Sequence, residues 1–364
     1  MILSADIGGT KTNVALFAAQ GKGLRKVAGE TYASRDHGSL DEIIDRFLAI
    51  HDGRVSRACF GVAGPVKQGR SETTNLPWVV DAARLARKLG LKRVGLLNDM
   101  EATAWGIAAL KPRDIEIINR GNADPKGNGA VIAAGTGLGE AGLQWNGVEH
   151  LPFASEGGHS DFAPRNELEV ELLEFLRQQF GRVSYERVVS GPGLHNIYRF
   201  FRDIKKAEEP AWLGEELSEG DASAVISRVA LEGRAAICEQ AMDQFVQIYG
   251  AESGNLALKM MATSGVYLGG GIAPKIAERI KRGDFLEAFA SKGRLRPLME
   301  QIPVRIILND GAALLGAARW ALREGPTGWR LPRGHSAVRN RGLAARTGRM
   351  RAGGGRAGRK RGRG

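Results

Sequence analysis

The sequence has few of the residues that build covalent or metal-stapled folds. Its 364 residues include two cysteines, Cys59 and Cys238, which cannot form a disulfide framework and are too few for a structural zinc site. No run of about 18 uninterrupted apolar residues occurs, so we expect no membrane-spanning helix. The first residues contain neither a basic region nor a long apolar stretch, so we expect no signal peptide and a cytosolic location.

Acidic residues are absent from the last 39 positions, which hold twelve of the 52 lysines and arginines. The preceding 325 residues carry 40 basic and 40 acidic side chains, so the net charge of +12 arises wholly in this tail. Ten of the 50 glycines also lie there, with few apolar side chains, which predicts a disordered segment. A nucleic-acid partner is therefore expected only through residues 325–364.

The rest of the chain has the length and pattern of a two-lobed α/β protein. It exceeds the roughly 250–300 residues at which a single core stops growing. Two hairpins with glycine-rich turns, at residues 2–19 and 130–145, each open a series of alternating strands and helices. This alternation predicts sheets covered by helices, and the repetition predicts two lobes with a cleft between them.

Apolar runs and turn residues predict the other elements. A capping box at Ser39-Leu40-Asp41-Glu42 precedes a helical pattern. Strands are predicted at 58–63, 94–97, 266–268 and 304–308, and helices at about 101–110, 167–179, 222–249 and 312–322.

The first candidate site is the turn in Asp6-Ile7-Gly8-Gly9-Thr10-Lys11-Thr12-Asn13. Glycines let backbone N–H groups approach a phosphate, and Thr10, Thr12 and Asn13 add neutral donors. Asp6, at the strand end, is placed to hold Mg²⁺ through water. A hairpin turn with a polar tip is the alternative interpretation, but a second glycine turn in the same chain favours a functional one.

That second turn is Gly135-Thr136-Gly137-Leu138-Gly139. Gly137, Gly139 and Gly142 have the G-x-G-x-x-G spacing of a dinucleotide-binding fold, and Glu156 lies at the distance expected for its acidic residue. The residues after it, 141–145, do not start a helix, and no Walker A motif is present, so we interpret it as a second phosphate loop. Gly269-Gly270-Gly271 follows an apolar strand and would let an adenine or ribose lie flat on the backbone, although close helix–strand packing explains it equally well.

Polar residues after apolar strands supply the candidate catalytic groups. Asp99, which follows Asn98 at a strand end, can accept a proton from a substrate hydroxyl, and a helix N-cap is the compatible structural reading. Glu156 and His159 lie three residues apart in a glycine loop and suit sugar hydroxyls better than a metal, because no second His or Cys is near. Glu186 is a third such residue, for which a solvated salt bridge is the alternative.

Together these stretches resemble the bacterial glucokinases, which belong with hexokinase, actin and the heat-shock chaperone ATPases. The resemblance covers about residues 1–324. Its matching segments are Asp6–Asn13, Asn75 with Trp78, Leu97–Asp99, Ala134–Gly139, Ser155–Ala163, Tyr185–Gly193 and Leu268–Pro274. The runs at Glu156–Ala163 and Glu186–Gly193 are specific to this family among sugar kinases, whereas the glycine turns are shared across the superfamily.

The resemblance implies ATP-dependent phosphorylation of the glucose 6-hydroxyl with Mg²⁺, in an actin-like (ribonuclease H-like) fold and commonly a homodimer. It makes Asp99 the catalytic base. The residues implied to hold sugar are Asn75, Asn98, Asp99, Glu156, His159 and Glu186. Those implied to contact ATP, its phosphates or the metal are Asp6, Gly8, Gly9, Thr10, Lys11, Thr12, Asn13, Gly135, Thr136, Gly137, Gly269, Gly270 and Gly271. The implied lobes are residues 1–110 with about 302–324, and residues 111–301.

Two alternatives stay open at this point. A kinase for another hexose has the same motifs, although the related repressor–kinase family carries a cysteine-rich zinc cluster that two distant cysteines cannot form. A sugar-responsive DNA-binding regulator would need a helix-turn-helix domain ahead of the first strand, which already begins at Ile2. The tail has no counterpart in the family, and its Arg/Gly/Ala content is what a GC-rich gene yields in a wrong frame, so a frameshift is the favoured explanation.

Overall fold

The computed structural model describes residues 1–21, 23–73 and 76–323. The predicted tail and Asn75 lie outside these ranges. The strands are β1 (Ile2–Ile7), β2 (Lys11–Gln20), β3 (Gly23–Ala33), β4 (Arg57–Val62), β5 (Arg70–Glu72), β6 (Val79–Asp81), β7 (Gly95–Asn98), β8 (Ile115–Asn119), β9 (Gly129–Ala134), β10 (Leu138–Trp145), β11 (His150–Ser155), β12 (Gly265–Gly269) and β13 (Val304–Ile307).

The helices cover or connect these strands. They are α1 (Leu40–Ile50), α2 (Ala82–Lys88), α3 (Asp99–Ile107), α4 (Glu167–Phe180), α5 (Gly191–Asp203), α6 (Ala211–Glu219), α7 (Ala222–Glu232), α8 (Ala236–Met260), α9 (Ala277–Ile280), α10 (Asp284–Ala290), α11 (Arg296–Gln301) and α12 (Ala312–Arg323). No helix in these ranges is long and apolar enough to cross a membrane.

Two sheets organise the chain as the paired hairpins predict. The first has the order β3-β2-β1-β4-β7, with β1 antiparallel to β2 and parallel to β4. The second has the order β11-β10-β9-β12-β13-β8, with β9 antiparallel to β10 and parallel to β12. In both sheets the first strand of a glycine hairpin therefore pairs with a parallel strand on its other side. The carboxyl ends of these neighbouring parallel strands lie at one edge of the sheet.

Each sheet builds its own core. Leu3, Val14 and Phe60 of the first sheet pack with α1 residues such as Phe47, all essentially inaccessible to water. The second sheet packs against α5 and α8 in a larger cluster that contains Ile132. Burial of these apolar side chains is the main favourable contribution to folding.

Three predicted elements differ in detail from the structure. The pattern at 222–249 is two helices, because Gly233 adopts a left-handed conformation (φ 66°) and ends α7. Ser39 does cap α1, but the Glu42 carboxylate accepts a hydrogen bond from the Gly38 N–H (2.9 Å), so the reciprocal half of the capping box is displaced by one residue. The third difference is the strand β13, which pairs within the second sheet. The chain therefore returns toward the first sheet after residue 307, and the predicted boundary at 302 is too early.

Helices α3 and α12 lie where the two sheets approach each other. They cross at glycines, because a Cβ on Gly316 would overlap the carbonyl oxygen of Ala102, and one on Gly106 would overlap that of Ala312. The other face of α3 places Met100 against the second sheet. α3 thereby positions its first residue, Asp99, between the two sheets.

Candidate active site

The first glycine turn is a rigid hairpin tip. The Gly8 N–H donates to the Lys11 carbonyl (3.0 Å), and the Ser34 hydroxyl donates to the Gly8 carbonyl (2.8 Å). The Thr10 and Lys11 side chains are exposed, whereas Gly8 and Gly9 are half-buried. Thr12 is buried, and its hydroxyl pairs with Ser34 (2.9 Å), so it braces the turn from beneath instead of pointing outward as a phosphate donor.

Asp6 lies half-buried at the end of β1. Burial, the first cause, and the nearby carboxylate of Asp99 raise the pKa of Asp6 to about 6, while a hydrogen bond from Asn13 and the charge of Lys11 oppose the rise. Asn13 is held in place because its Oδ1 accepts a hydrogen bond from the Thr31 hydroxyl (2.8 Å). Its amide is therefore committed to Asp6, which makes Asn13 a support for that carboxylate.

Asp99 is the first residue of α3, and its predecessor caps the helix. Asn98 Oδ1 accepts hydrogen bonds from the N–H groups of Met100 (2.9 Å) and Glu101 (3.4 Å), and its Nδ2 donates to the Gly64 carbonyl (3.2 Å). The N-cap role that the sequence allows for Asp99 therefore belongs to Asn98, and Asp99 is the first helical residue. Burial, followed by the charge of Glu156, raises the pKa of Asp99, which makes its carboxylate a stronger base.

The second glycine turn is tied to the segment that carries Glu186. Glu186 Oε2 accepts a hydrogen bond from the Leu138 N–H (3.0 Å), and Gly191 donates from its N–H to the Gly135 carbonyl (2.8 Å). Thr136 is exposed at the tip, and a side chain on Gly135 would meet no neighbour within 4 Å. The turn therefore keeps one open backbone face, as a phosphate loop requires.

The third glycine run lies beside this turn, because β9 and β12 are parallel neighbours. Gly270 has a φ of 79°, and a Cβ there would overlap the Ala134 carbonyl, so close packing demands glycine at this position. Gly271 is exposed and has open space where a Cβ would point. Close packing therefore explains Gly270, and Gly271 offers the bare backbone face on which the adenosine prediction depends.

Residues 155–160, here called the sugar loop, contain a short 3₁₀-helix (Gly157–His159) that follows Glu156. Gly157 and Gly158 are required for close packing and not for loop flexibility. A Cβ on Gly158 would overlap the Leu138 carbonyl, and one on Gly157 would overlap the Glu140 carboxyl group. Packing against β10 thus fixes the directions of the flanking side chains. Glu156 lies near enough to Asp99 for its charge to affect that group, although the two come from different sheets.

Glu186 also lies near the sugar loop. Its Oε1 is 3.9 Å from His159 Nδ1, and the two side chains are 29% and 54% exposed. Glu186 therefore has two partners, since one oxygen binds backbone at the second glycine turn and the other is beside His159. The structure brings together Asp6, Asp99, Glu156, His159 and Glu186.

Sequence reasoning missed Asp310, whose charge also acts on Asp6. The signal was present, since the same three residues occur at both strand-to-helix junctions: Leu97-Asn98-Asp99 joins β7 to α3, and Leu308-Asn309-Asp310 lies between β13 and α12. Asn309 Oδ1 accepts a hydrogen bond from the Gly311 N–H (2.9 Å), as Asn98 does from α3. The triplet is thus an internal repeat that places one carboxylate at each helix start.

These carboxylates fit a bound Mg²⁺ chemically. In the described ranges no three His, Cys, Asp or Glu side chains are close enough to form a complete metal cage. Mg²⁺ usually keeps several waters and takes one or two carboxylates beside substrate phosphates, so a cage is not required. Asp6, with its raised pKa and two acidic neighbours, is a hard oxygen donor that lacks a full counter-charge. Cys59 and Cys238 are buried in separate clusters.

Paired sheets with glycine hairpins and carboxylates at the strand ends define a two-lobed, actin-like sugar kinase. Residues 3–324 match the family model described as Glucokinase. The chain is 43% identical over 338 residues to the glucokinase of Nostoc punctiforme, covering 89% of this chain and 99% of that protein. It is 40% identical over 341 residues to that of Synechocystis, covering 87% and 96%. The chain therefore belongs to the glucokinase family.

A solved structure agrees with this assignment. The glucokinase of an Antarctic psychrotroph superposes with a TM-score of 0.78 at 32% identity, covering 88% of this chain and 98% of that one. The two-lobed fold implied by the resemblance is therefore confirmed.

Proposed function

We propose that the protein transfers the γ-phosphoryl group of ATP to the 6-hydroxyl of glucose, with Asp99 as the general base. The observation that carries the proposal is the approach of Asp99, from the first sheet, to Glu156 of the sugar loop, from the second. A base beside sugar-binding groups, with two glycine turns nearby, is the equipment that phosphoryl transfer needs, because catalysis depends on positioning and charge neutralisation.

The site residues have separate roles in binding the sugar and in accepting its proton. Glu156, His159 and Glu186 accept or donate hydrogen bonds to sugar hydroxyls, which orients the 6-hydroxyl toward Asp99. Asp99 accepts the hydroxyl proton as the oxygen attacks the γ-phosphorus, and the bond from that phosphorus to the bridging oxygen of ADP breaks. Its raised pKa makes the carboxylate a stronger base.

The glycine turns supply backbone N–H groups for the phosphates. Gly8, Gly9, Gly135 and Gly137 lie at the two hairpin tips, and Gly271 leaves an open face for the adenosine. Asp6 would hold Mg²⁺ through water, and a bound Mg²⁺ neutralises phosphate charge. A cytosolic homodimer that supplies glucose 6-phosphate to glycolysis is the corresponding cellular role.

A panel of hexoses in a coupled assay of ADP release tests the proposal. The panel contains glucose, fructose, mannose and an N-acetylhexosamine, each with ATP and Mg²⁺. We expect the highest kcat/KM for glucose. A preference of tenfold or more, about 1.4 kcal/mol, for another sugar would overturn the glucose assignment and leave a kinase of that hexose.

A further inference from the structure

Two buried glutamates outside the proposed chemistry lie directly behind the sugar loop. Glu140, on β10, is 1% exposed, and Glu252, on α8, is fully buried. The Oε1 atoms of both are shielded from water and have no hydrogen-bond donor among the residues that the structure describes. Buried carboxyl groups without donors are costly, so the pair requires an explanation.

The two carboxyl groups lie close enough for the charge of Glu252 to raise the pKa of Glu140. An ionised carboxylate can only accept a hydrogen bond, so neighbouring carboxyl groups can bond to each other only if one of them carries a proton. Like charges at such a distance cannot both be ionised without a large penalty, and the pair therefore keeps one proton between them.

Each member of the pair contacts a different part of the sugar site. The Glu140 carboxyl group lies against Gly157, between Glu156 and His159. Glu252 is linked through Asn255 to the Tyr185 hydroxyl, and Tyr185 directly precedes Glu186.

Asn255 reinforces the second contact. Its amide nitrogen donates to Glu252 Oε2 (2.8 Å) and lies 3.0 Å from the Tyr185 hydroxyl. The pair thus bridges the sugar loop and the short 3₁₀-helix Tyr185–Arg187.

We propose that Glu140 and Glu252 are positioning residues of the sugar site, joined by one shared proton that fixes the spacing of its two segments. The inference rests on the proposed function, since it concerns how that site holds glucose. When the proton is lost, two negative charges face each other in a dry interior and must separate. The segments that carry Glu156 and Glu186 then move apart, and glucose binding weakens.

The surroundings of the pair set the pH at which the shared proton is lost. Burial, followed by the charge of Glu252, raises the pKa of Glu140 to about 8. The folded protein therefore binds this proton more tightly than the unfolded chain does. The stability that the proton contributes is complete below the ordinary glutamate pKa and is lost as the pH rises through about 8.

Other charged and titratable groups face the pair. Lys259, on α8, lies 3.6 Å from Glu252. Lys292 donates to Asn255 Oδ1 (2.6 Å), and its pKa is lowered to about 8 by burial, despite the charge of Glu252. Tyr185 and Tyr249 have raised pKa values because they are buried, so both stay neutral through this range. Of these groups, Lys292 titrates in the same pH range as the glutamate pair. The experiment must therefore distinguish the titration of Lys292 from that of the pair.

The experiment measures glucose affinity by calorimetric titration and glucose KM by the coupled assay, both at pH 7 and pH 9. For the wild type we expect glucose affinity to weaken about tenfold between the two pH values, with little change in the KM for ATP. Glu140→Gln donates the same hydrogen bond without ionising, so its glucose affinity should change less than about threefold. Glu140→Ala should weaken binding at both pH values.

Two further variants serve as controls. Glu169→Gln changes another fully buried glutamate, which lies on α4 and pairs with Arg165. This variant should lose stability but follow the wild-type pH profile. Lys292→Met should still show the alkaline loss of affinity. If Lys292→Met abolishes the loss and Glu140→Gln does not, the lysine is the titrating group and the inference is overturned.

The proposed function and this inference can fail separately. Glucose binding without phosphorylation would reject the proposed function and leave the pH comparison intact. Phosphorylation of glucose with the same alkaline loss in wild type and Glu140→Gln would reject the shared proton alone. If Glu140→Ala does not fold, the comparison of wild type with Glu140→Gln still tests the shared proton, because that comparison does not need the alanine variant.

Discussion

Asp6 and Asp99 are half-buried carboxylates at the ends of β1 and β7. Burial raises the pKa of both, and the charge of Asp99 adds to the rise at Asp6, as that of Glu156 does at Asp99. Such groups are costly to stability unless a proton, a cation or a substrate hydroxyl approaches them. Perturbed carboxylates grouped in this way are typical of functional sites.

The Asp99→Asn variant tests the base. Asparagine keeps the size and most of the hydrogen bonding, including the geometry beside the Met100 N–H, but it cannot accept a proton. We expect kcat to fall on the order of 10²–10⁴, with a much smaller change in glucose affinity. Steady-state kinetics with glucose and ATP give both values. Retention of more than about a third of wild-type kcat would contradict the role of base.

Glu156→Gln and His159→Ala test the sugar loop. Losing either partner leaves a sugar hydroxyl unpaired in a closed site, a cost of about 1–3 kcal/mol. Each change should therefore raise the KM for glucose roughly ten- to a hundredfold and leave the KM for ATP nearly unchanged. Melting temperatures provide the control. A loss of thermal stability with both KM values unchanged would mean that these side chains only pack the loop.

Among the secondary-structure elements, the α3–α12 pair links the chemistry to the architecture. Each helix follows a strand and a Leu-Asn-Asp triplet, and each uses a glycine to bring its backbone against the other helix. Because Asp99 begins α3, any displacement at this crossing is transmitted to the base. The crossing glycines are therefore expected to affect stability and catalysis together.

Gly316→Ala tests this crossing. The added methyl group would overlap the Ala102 carbonyl, a backbone atom that cannot move without shifting α3. We expect a loss of about 1–3 kcal/mol in the free energy of unfolding. The matched control is Gly214→Ala in α6, where a Cβ meets only the Glu209 side chain at 3.3 Å, and it should be neutral or slightly stabilising. Denaturant titration measures both, and equal effects would argue against a close crossing.

For the whole molecule, charge is divided along the chain. Residues 1–325 are balanced, and the basic excess lies beyond them. Polyanion affinity is set by the number of phosphate contacts and weakens steeply with salt. A chain cut after residue 325 should therefore lose salt-sensitive binding to a polyanion such as heparin and keep its kinase activity. Equal, strongly salt-dependent binding by both forms would place the basic surface in the enzyme itself.

The sequence was sufficient for much of the architecture, because the local signals were strong. Glycine hairpins, apolar strands and the Leu-Asn-Asp triplet determine local conformation, and β1–β2, β9–β10 and α3 are confirmed near their predicted ends. α5 was missed although Ser190, Leu194, Ile197 and Phe201 gave a cap and a helical stripe. β3 gave little signal, since it is an edge strand and most of its side chains are exposed.

Only the tertiary structure decided which segments far apart in the sequence come into contact. Which neighbour a carboxylate faces depends on packing across sheets, as with Asp6 beside Asp310 or Glu140 beside Glu252. Likewise, Thr10 and Thr12 look equivalent in the sequence, but Thr10 lies exposed in the turn before β2, whereas Thr12 lies within β2 and is buried against Ser34. The sequence determined which groups could act. Long-range packing decided which of them meet, because burial and like-charge proximity arise only when segments far apart in the chain come together.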